Sequence, residues 1–361
     1  MNHDDGYTQL CRIMGYETSP GMRRVLAYMM TEEQARLVAA LPKNYPELAE
    51  LLGKDEATVR ELAADLYRKG VIVPKDFQTL EGMRFIPSFI FLHDRTLAIR
   101  DWYKRIPDLA GLIDEFLEEE FFPNEGKKLA ALTDPPQRVL PAYKTILDSP
   151  ELLPEEDVRT ILKNAKTISV VPCSCRVRTG ACKRIQTDVC MQFDRSAEYG
   201  ISVGMEGLDR PLTYEEALKV IDDAEEAGLL HLWGNTSKMT GPSLCSCCDD
   251  CCIMGLQFLR SNLPPEKRFA KSRYVAKIDP DKCIGCPDDP APPCVAIVPS
   301  YFRGCLRMVG RRGKEDFKAQ IETELCFGCG ACVLKCPTGA IRMELVRPAS
   351  HITGVAGTAT A

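Results

Sequence analysis

Apolar residues in the first 165 positions recur mostly at helical spacing. Thr31 and Gln34 stand at capping-box spacing ahead of the apolar run 35–41. Between 46 and 76, Leu48, Leu51 and Leu52 share one helical face, and Val59, Leu62, Ala63 and Leu66 share another. Gly53 separates these two helices, Gly70 ends the second, and Val71, Ile72 and Val73 read as a strand. A further helical stretch from about Arg95 to Phe122 carries Leu97, Ile99, Trp102, Ile106, Leu109, Leu112, Ile113, Phe116 and Leu117. Pro135, Pro136 and Pro141, with Pro150 and Pro154 beyond, mark a linker. Past it, 167–171 has the pattern of a buried strand, and Thr213 with Glu216 opens a capped helix that closes at Gly228. Strands are expected near 274–278, 318–321 and 340–345. The tail after Pro348, rich in Gly, Ala and Thr, is expected to be disordered.

These patterns predict an α+β multidomain chain. A helical region spans 1–165, a second region 166–270, a third 271–347, and a tail 348–361. In its order of elements, 46–76 resembles a winged helix, which implies either duplex binding or protein docking. The would-be recognition helix sets Asp55, Glu56, Glu61 and Asp65 against Arg60, Arg68 and Lys69. That is a poor footprint for phosphates, so docking or dimerisation is the better expectation.

The composition is ordinary in hydrophobic content, 45%, and in charged content, 27%, with a formal net charge of −5. The 18 cysteines are not ordinary, and only Cys11 precedes residue 173. The amino terminus, MNHDDGYTQLC, lacks the basic and apolar regions of a leader, and no run reaches the length of a membrane helix. A reducing cytoplasm is therefore expected, and there crowded cysteines indicate metal rather than disulfides.

The run CFGCGACVLKCP places Cys326, Cys329, Cys332 and Cys336 at spacings of two, two and three residues, followed by Pro337. This is the bacterial ferredoxin run, in which three thiolates hold one cubane and the fourth reaches another. Zinc would need four ligands at one centre, so the spacing favours iron–sulfur. An upstream copy is altered. Cys283 and Cys286 match Cys326 and Cys329, but PDDPAPP displaces the third ligand to Cys294, and Val298 stands where the fourth cysteine belongs. Residues 271–347 thus resemble two-cluster ferredoxins with a βαββαβ order. The resemblance implies one [4Fe–4S] cluster on Cys283, Cys286, Cys294 and Cys336, and a second on Cys326, Cys329 and Cys332. Cys305 is the favoured substitute for the missing ligand; a three-iron cluster, a non-cysteine ligand or the absence of that cluster are the alternatives. The basic stretch with Arg307, Arg311, Arg312 and Lys314 is read as a solvated loop, with docking of an acidic partner as the alternative.

The middle region holds Cys173, Cys175, Cys182 and Cys190, then Cys245, Cys247, Cys248, Cys251 and Cys252. Soft thiolates at such spacing favour iron–sulfur or copper(I); redox-active thiols are the other reading. The doublets lack the paired look of a zinc ribbon, so iron–sulfur is preferred here too. His231 is read as an ordinary helix-end histidine, with a metal ligand or a donor behind the ligands as the alternative. The succession Cys173-x-Cys175-Arg176, Ala197-Glu198-Tyr199, the 215–218 helix, His231, Asn235 and the later cysteine burst is similar to multi-cluster iron–sulfur proteins of anaerobes. That likeness, over about 170–345, implies one or two central clusters and electron transfer.

No dinucleotide fingerprint, P-loop or nucleophile motif is evident. The leading expectation is an electron relay serving a redox protein or a larger oxidoreductase complex, with a possible dimer through the helical region. A cluster-dependent DNA-binding regulator and a reductase acting at an open cluster or at the central cysteines are the rivals.

Overall fold

A computed structural model describes residues 5–99, 108–184, 188–204, 210–302 and 304–355. Trp102 and Ile106 of the third helical stretch lie outside the described residues. The chain forms two compact units that interleave in sequence. One comprises Met1–Glu125, Val171–Gly180 and Ala197–Pro211; the other comprises Gly126–Val170, Ala181–Ser196 and Leu212–Ala361.

The first unit opens with five helices: α1 (Gly6–Ile13), α2 (Pro20–Met29), α3 (Glu32–Ala39), α4 (Tyr45–Leu52) and α5 (Glu56–Arg68). Each starts where a side-chain oxygen caps an orphan amide. Thr31 and Gln34 form the reciprocal box expected of them, and Asn44 and Glu47 form a second. Gly53, at φ 64°, lets the chain leave α4 in the left-handed conformation. Leu48, Val59, Ala63 and Leu66 are buried as their periodicity demands, whereas Leu51 is exposed. After α5, β1 (Ile72–Val73) pairs antiparallel with β2 (Arg84–Phe85), a partner beyond the expected boundary at 76. The helical stretch expected from Arg95 to Phe122 is not one helix. Phe89–Ala98 ends at Ile99, which leaves helical geometry at φ −90° and ψ 85°, and Leu109–Phe116 continues through a π turn, Leu117–Phe121, into Phe122–Ala131.

A six-stranded sheet anchors the second unit. In chain order its strands are β3 (Gln137–Leu140), β4 (Ile168–Pro172), β5 (Asp188–Phe193), β6 (Leu230–Gly234), β7 (Ser243–Cys247) and β8 (Phe269–Ala270), arranged β4-β5-β7-β6-β3-β8. The expected linker therefore contains a strand: β3 pairs antiparallel with β6 and parallel with β8. Its prolines flank the strand instead of interrupting the ladder. Arg138 on β3 is buried and donates to the carbonyls of Gly234 (2.6 Å), Thr236 (2.5 Å) and Glu155 (2.6 Å). Helices Val158–Asn164 and Tyr214–Glu226 pack Leu162, Ala217 and Ile221 onto Met191, Phe193, Trp233 and Leu244 of the sheet. A fully buried Leu or Ile of this kind stabilises the fold by about 1.5–3 kcal/mol.

His231 is not at a helix end. It lies on β6, buried, with Nδ1 3.1 Å from Ser246 Oγ and Nε2 3.6 Å from the buried Glu225 carboxylate.

Four further strands complete the chain: β9 (Tyr274–Ile278), β10 (Leu306–Val309), β11 (Lys318–Ile321) and β12 (Ile341–Leu345). With the short helices Pro293–Ala296 and Ala331–Leu334 they follow the order βαββαβ, forming the antiparallel pairs β9/β12 and β10/β11. The packed structure does not stop at Pro348. Ala349–His351 form a 3-10 turn, Ile352 is buried, and the Thr353 carbonyl accepts from Ser237 N–H at 2.8 Å. The buried Ile352, that backbone bond and a contact of His351 Nε2 with the Lys271 carbonyl at 2.9 Å hold this segment against the molecule; residues 356–361 lie outside the described residues.

Candidate metal centres

The two halves of the carboxy-terminal region repeat a cradle. Gly285 follows Ile284 at φ 72°, and a Cβ there would lie 2.1 Å from the Phe317 carbonyl. Gly328 at φ 73° meets the Tyr274 carbonyl at the same 2.1 Å. Only glycine fits both the left-handed conformation and the close approach. The same sequence offset relates the sulfur bonds: Ala319 N–H donates to Cys283 Sγ and Ala276 N–H to Cys326 Sγ, each at 3.4 Å. Amides aimed at sulfur stabilise a thiolate and tune a metal bound to it.

Cys283, Cys286, Cys294 and Cys336 line one pocket of about 290 Å³, part of it open to solvent. Ile278, Ile284, Pro292, Met308 and Ile341 supply apolar walls. The PDDPAPP insertion that displaces Cys294 is clasped by Arg312, which donates to the carbonyls of Pro287 (3.0 Å), Asp289 (2.5 Å) and Pro290 (3.3 Å) while lying over the Phe317 ring. In the basic stretch, then, Arg312 holds the loop between Cys286 and Cys294. Arg307 pairs with Glu322 at 3.0 Å.

Cys305, Cys326, Cys329 and Cys332 lie near enough to act on one another's thiols. Burial pushes the Cys305 thiol up to about 12, and the neighbouring Cys326 and Cys329 add to the shift. Cys329 rises to about 11, and Cys332 is raised by burial and by Cys329, Cys326, Cys305 and Cys294 in turn. The backbone explains how Cys305 comes here. Glu322 N–H donates to the Cys305 carbonyl and Asp279 N–H to the Ala340 carbonyl, both at 2.8 Å. Cys305 thus stands in its half where Ala340 stands in the other, just before the second strand of each half, β10 and β12. Each quartet brings four thiols together with a backbone amide directed at one sulfur, and the first has apolar walls as well; such donor sets fit a [4Fe–4S] cluster.

The central cysteines form separate groups. In the second unit, Cys182, Cys248, Asp250 and Cys251 bring their ligand atoms within 4.8 Å of one another. Cys248 and Cys251 have their sulfurs 3.0 Å apart, and the hydrogen bond from Cys251 brings the Cys248 thiol down to about 7. Cys252 and Cys247 are a second close pair at 3.3 Å, and Cys245 shares a hydrogen bond with Cys247. Cys190 accepts from Gln192 Nε2 at 3.0 Å on β5. Cys173 and Cys175 belong to the first unit, at the start of helix Ser174–Thr179, whose Ser174 hydroxyl donates to the Asp94 carbonyl at 2.8 Å. Among the described residues no cysteine is in a disulfide, and Cys11 is buried alone in the helical core.

Pattern reading missed Asp250, because a carboxylate between two cysteines carries no periodic signal; its place inside Cys248-x-x-Cys251 was the available clue. It also missed Tyr301. That phenol donates to the Cys248 carbonyl at 2.7 Å, Ser300 N–H bonds the Asp249 carboxylate at 2.7 Å, and Phe302 stacks on Phe327 at 4.1 Å. One short segment therefore touches the central cysteine loop and the residue beside Cys326.

Known proteins agree with this geometry at the carboxy-terminal end. The model of the 4Fe-4S binding domain family matches residues 319–342, which include Cys326, Cys329, Cys332 and Cys336. The chain is 34% identical over 67 residues to the pyruvate synthase subunit PorD of Methanothermobacter marburgensis. The match covers 19% of this chain and 62% of that protein. No solved structure matches the chain. No described helix is long and apolar enough to cross a membrane. The chain contains an iron–sulfur binding region of the kind used in electron transfer.

Proposed function

We propose that the protein is a multi-cluster electron-transfer protein that relays single electrons to or from a partner oxidoreductase in anaerobic metabolism. The observation that carries this reading is the duplicated cradle with its two thiol quartets. One [4Fe–4S] cluster is assigned to Cys283, Cys286, Cys294 and Cys336, and the other to Cys326, Cys329, Cys332 and Cys305. Each cluster, when bound, would take up and release one electron. The chain's own part is to exclude water with apolar walls, to aim the Ala276 and Ala319 amides at sulfur, and to keep the quartets close. Proximity is supported by Cys294, which lies near enough to Cys332 to raise its thiol. Cys247 and Cys252, the paired thiols beside Tyr301, extend the relay as a further thiolate station, reached through Tyr301, Phe302 and Phe327.

The relative's role as a subunit of pyruvate synthase supports a partner that performs the substrate chemistry. Helices α4 and α5 with the β1/β2 hairpin have the order of a winged helix, and we assign that unit to docking. Two of its cations are engaged by carboxylates: Arg60 pairs with Glu56 at 2.7 Å and Glu81 at 3.2 Å, and Lys69 with Asp65 at 2.6 Å. Little positive field is left for a phosphate backbone.

Protein purified without oxygen and titrated with a low-potential reductant tests the relay. Reversible one-electron steps, with loss and recovery of the visible cluster absorption, are expected. Absorption that reductant leaves unchanged, or that never returns on re-oxidation, would contradict the proposal.

A further inference from the structure

Two kinds of thiol constellation occur in this chain, and they differ in size. A cubane bonds each of its four thiolates to a different iron, at separate corners, so the sulfurs are spread widely. A single tetrahedral ion with metal–sulfur bonds of about 2.3 Å brings neighbouring thiolates to about 3.8 Å. Among the described residues the only group of three or more such side chains whose donor atoms all fall within 4.8 Å is Cys182, Cys248, Asp250 and Cys251. The two carboxy-terminal quartets gather their thiols without meeting that limit. This internal contrast separates a one-ion site from the cluster sites.

The donor set is also complete for one ion. Cys248 and Cys251 form a Cys-x-x-Cys chelate on the loop after β7, and Cys182 comes from the segment before β5. The Asp250 carboxylate is divided in its duties. Oδ2 accepts from Lys183 N–H at 2.7 Å, and Oδ1 lies 3.3 Å from Cys182 Sγ, so one oxygen is left facing the thiols. Around this set, Arg184 N–H donates to Cys182 Sγ at 3.4 Å, and the Arg184 guanidinium lies 3.8 Å from Asp249 and donates to the Ala227 carbonyl at 3.2 Å. Such outer contacts fix ligand orientation and offset the negative charge of three thiolates and a carboxylate. Three soft donors exclude calcium and magnesium, and four filled positions match a closed structural site.

We propose that Cys182, Cys248, Asp250 and Cys251 bind one tetrahedral divalent ion of the zinc type, which ties the segment around Cys182 to the loop 248–251. The site is independent of the iron–sulfur positions, and it replaces the expectation of a cluster at these three cysteines.

The test is metal analysis of the full chain, purified anaerobically and passed through chelator-treated buffer, with zinc and iron measured on the same sample. One equivalent of zinc per chain is expected. Protein produced with cobalt in place of zinc should show the visible ligand-field bands of a tetrahedral site and sulfur-to-cobalt charge transfer. Asp250→Asn and Cys251→Ser should each lose that equivalent while iron and the reduced-state EPR signals stay at the wild-type level. Loss of about four irons from Cys251→Ser, as one cubane would require, overturns the proposal. So does a chain with no zinc and no cobalt spectrum, or a Cys248–Cys251 disulfide in the anaerobic protein. If Cys251→Ser fails to fold, the cobalt spectrum of the wild-type chain decides alone.

Discussion

At the scale of single residues, Cys305 bears the largest part of the account. It sits where its counterpart, Ala340, has no thiol to offer, and in the proposed ligand set it takes the role that Val298 cannot fill. Cys305→Ser is expected to remove about four irons per chain, or to leave a three-iron cluster with its own EPR signature, while the Cys283 group keeps its iron. Unchanged iron and spectra would remove Cys305 from the ligand set. Glycines give a second residue-level test. Gly328→Ala places a Cβ 2.1 Å from the Tyr274 carbonyl at positive φ, whereas Gly339, at φ 63°, has nothing within 4 Å of its would-be Cβ. Gly328→Ala should therefore lower the melting temperature and abolish incorporation of the neighbouring cluster. Gly339→Ala should cost about 1–2 kcal/mol, from backbone conformation alone, and keep the iron. Equal effects in the two variants would mean that close backbone approach is unimportant. Cys11→Ala, in the apolar core of the helical unit, should leave metal content untouched.

Among the elements, the loop between Cys286 and Cys294 is held by one guanidinium. Arg312→Ala should loosen it, so the cluster at Cys283, Cys286, Cys294 and Cys336 should lose iron to air several-fold faster, the other cluster decaying at its former rate. Time-resolved EPR after exposure to oxygen distinguishes the two; parallel decay would contradict the clasp. Much of this region was legible beforehand because the ferredoxin spacing is rigid chemistry: β9 and β11 fall within the ranges drawn from the pattern. The strand β10 and the clasp were not legible, since both depend on partners far along the chain. The same limit explains β3. A proline-rich stretch reads locally as a linker, but Arg138 finds three carbonyls from distant segments and the strand is buried. His231 likewise looked like a helix-end residue, until β6 and Glu225 enclosed it. Capping boxes at Thr31 and Thr213 were readable because donor and acceptor are three residues apart.

For the whole molecule, the interleaving of two units could not be read from a linear division by cysteine content, because the chain crosses between units several times. Cys173 and Cys175 fall with one unit and the later cysteines with the other, although all belong to one burst-rich stretch of sequence. The winged-helix-like portion adds a prediction at this scale. With Arg60 engaged by Glu56 and Glu81, Lys69 engaged by Asp65, and four acidic residues on the helix and its N-cap, the protein should show no duplex binding that falls steeply with salt. A gel-shift complex lost between low and moderate salt would restore the regulator reading. The central claim, paired cubanes in the carboxy-terminal region, is tested most directly by iron and acid-labile sulfide per chain in protein purified without oxygen. The account predicts at least about eight irons with matching sulfide, four for each of the two cradles. About four irons or fewer, or iron without sulfide, would contradict it.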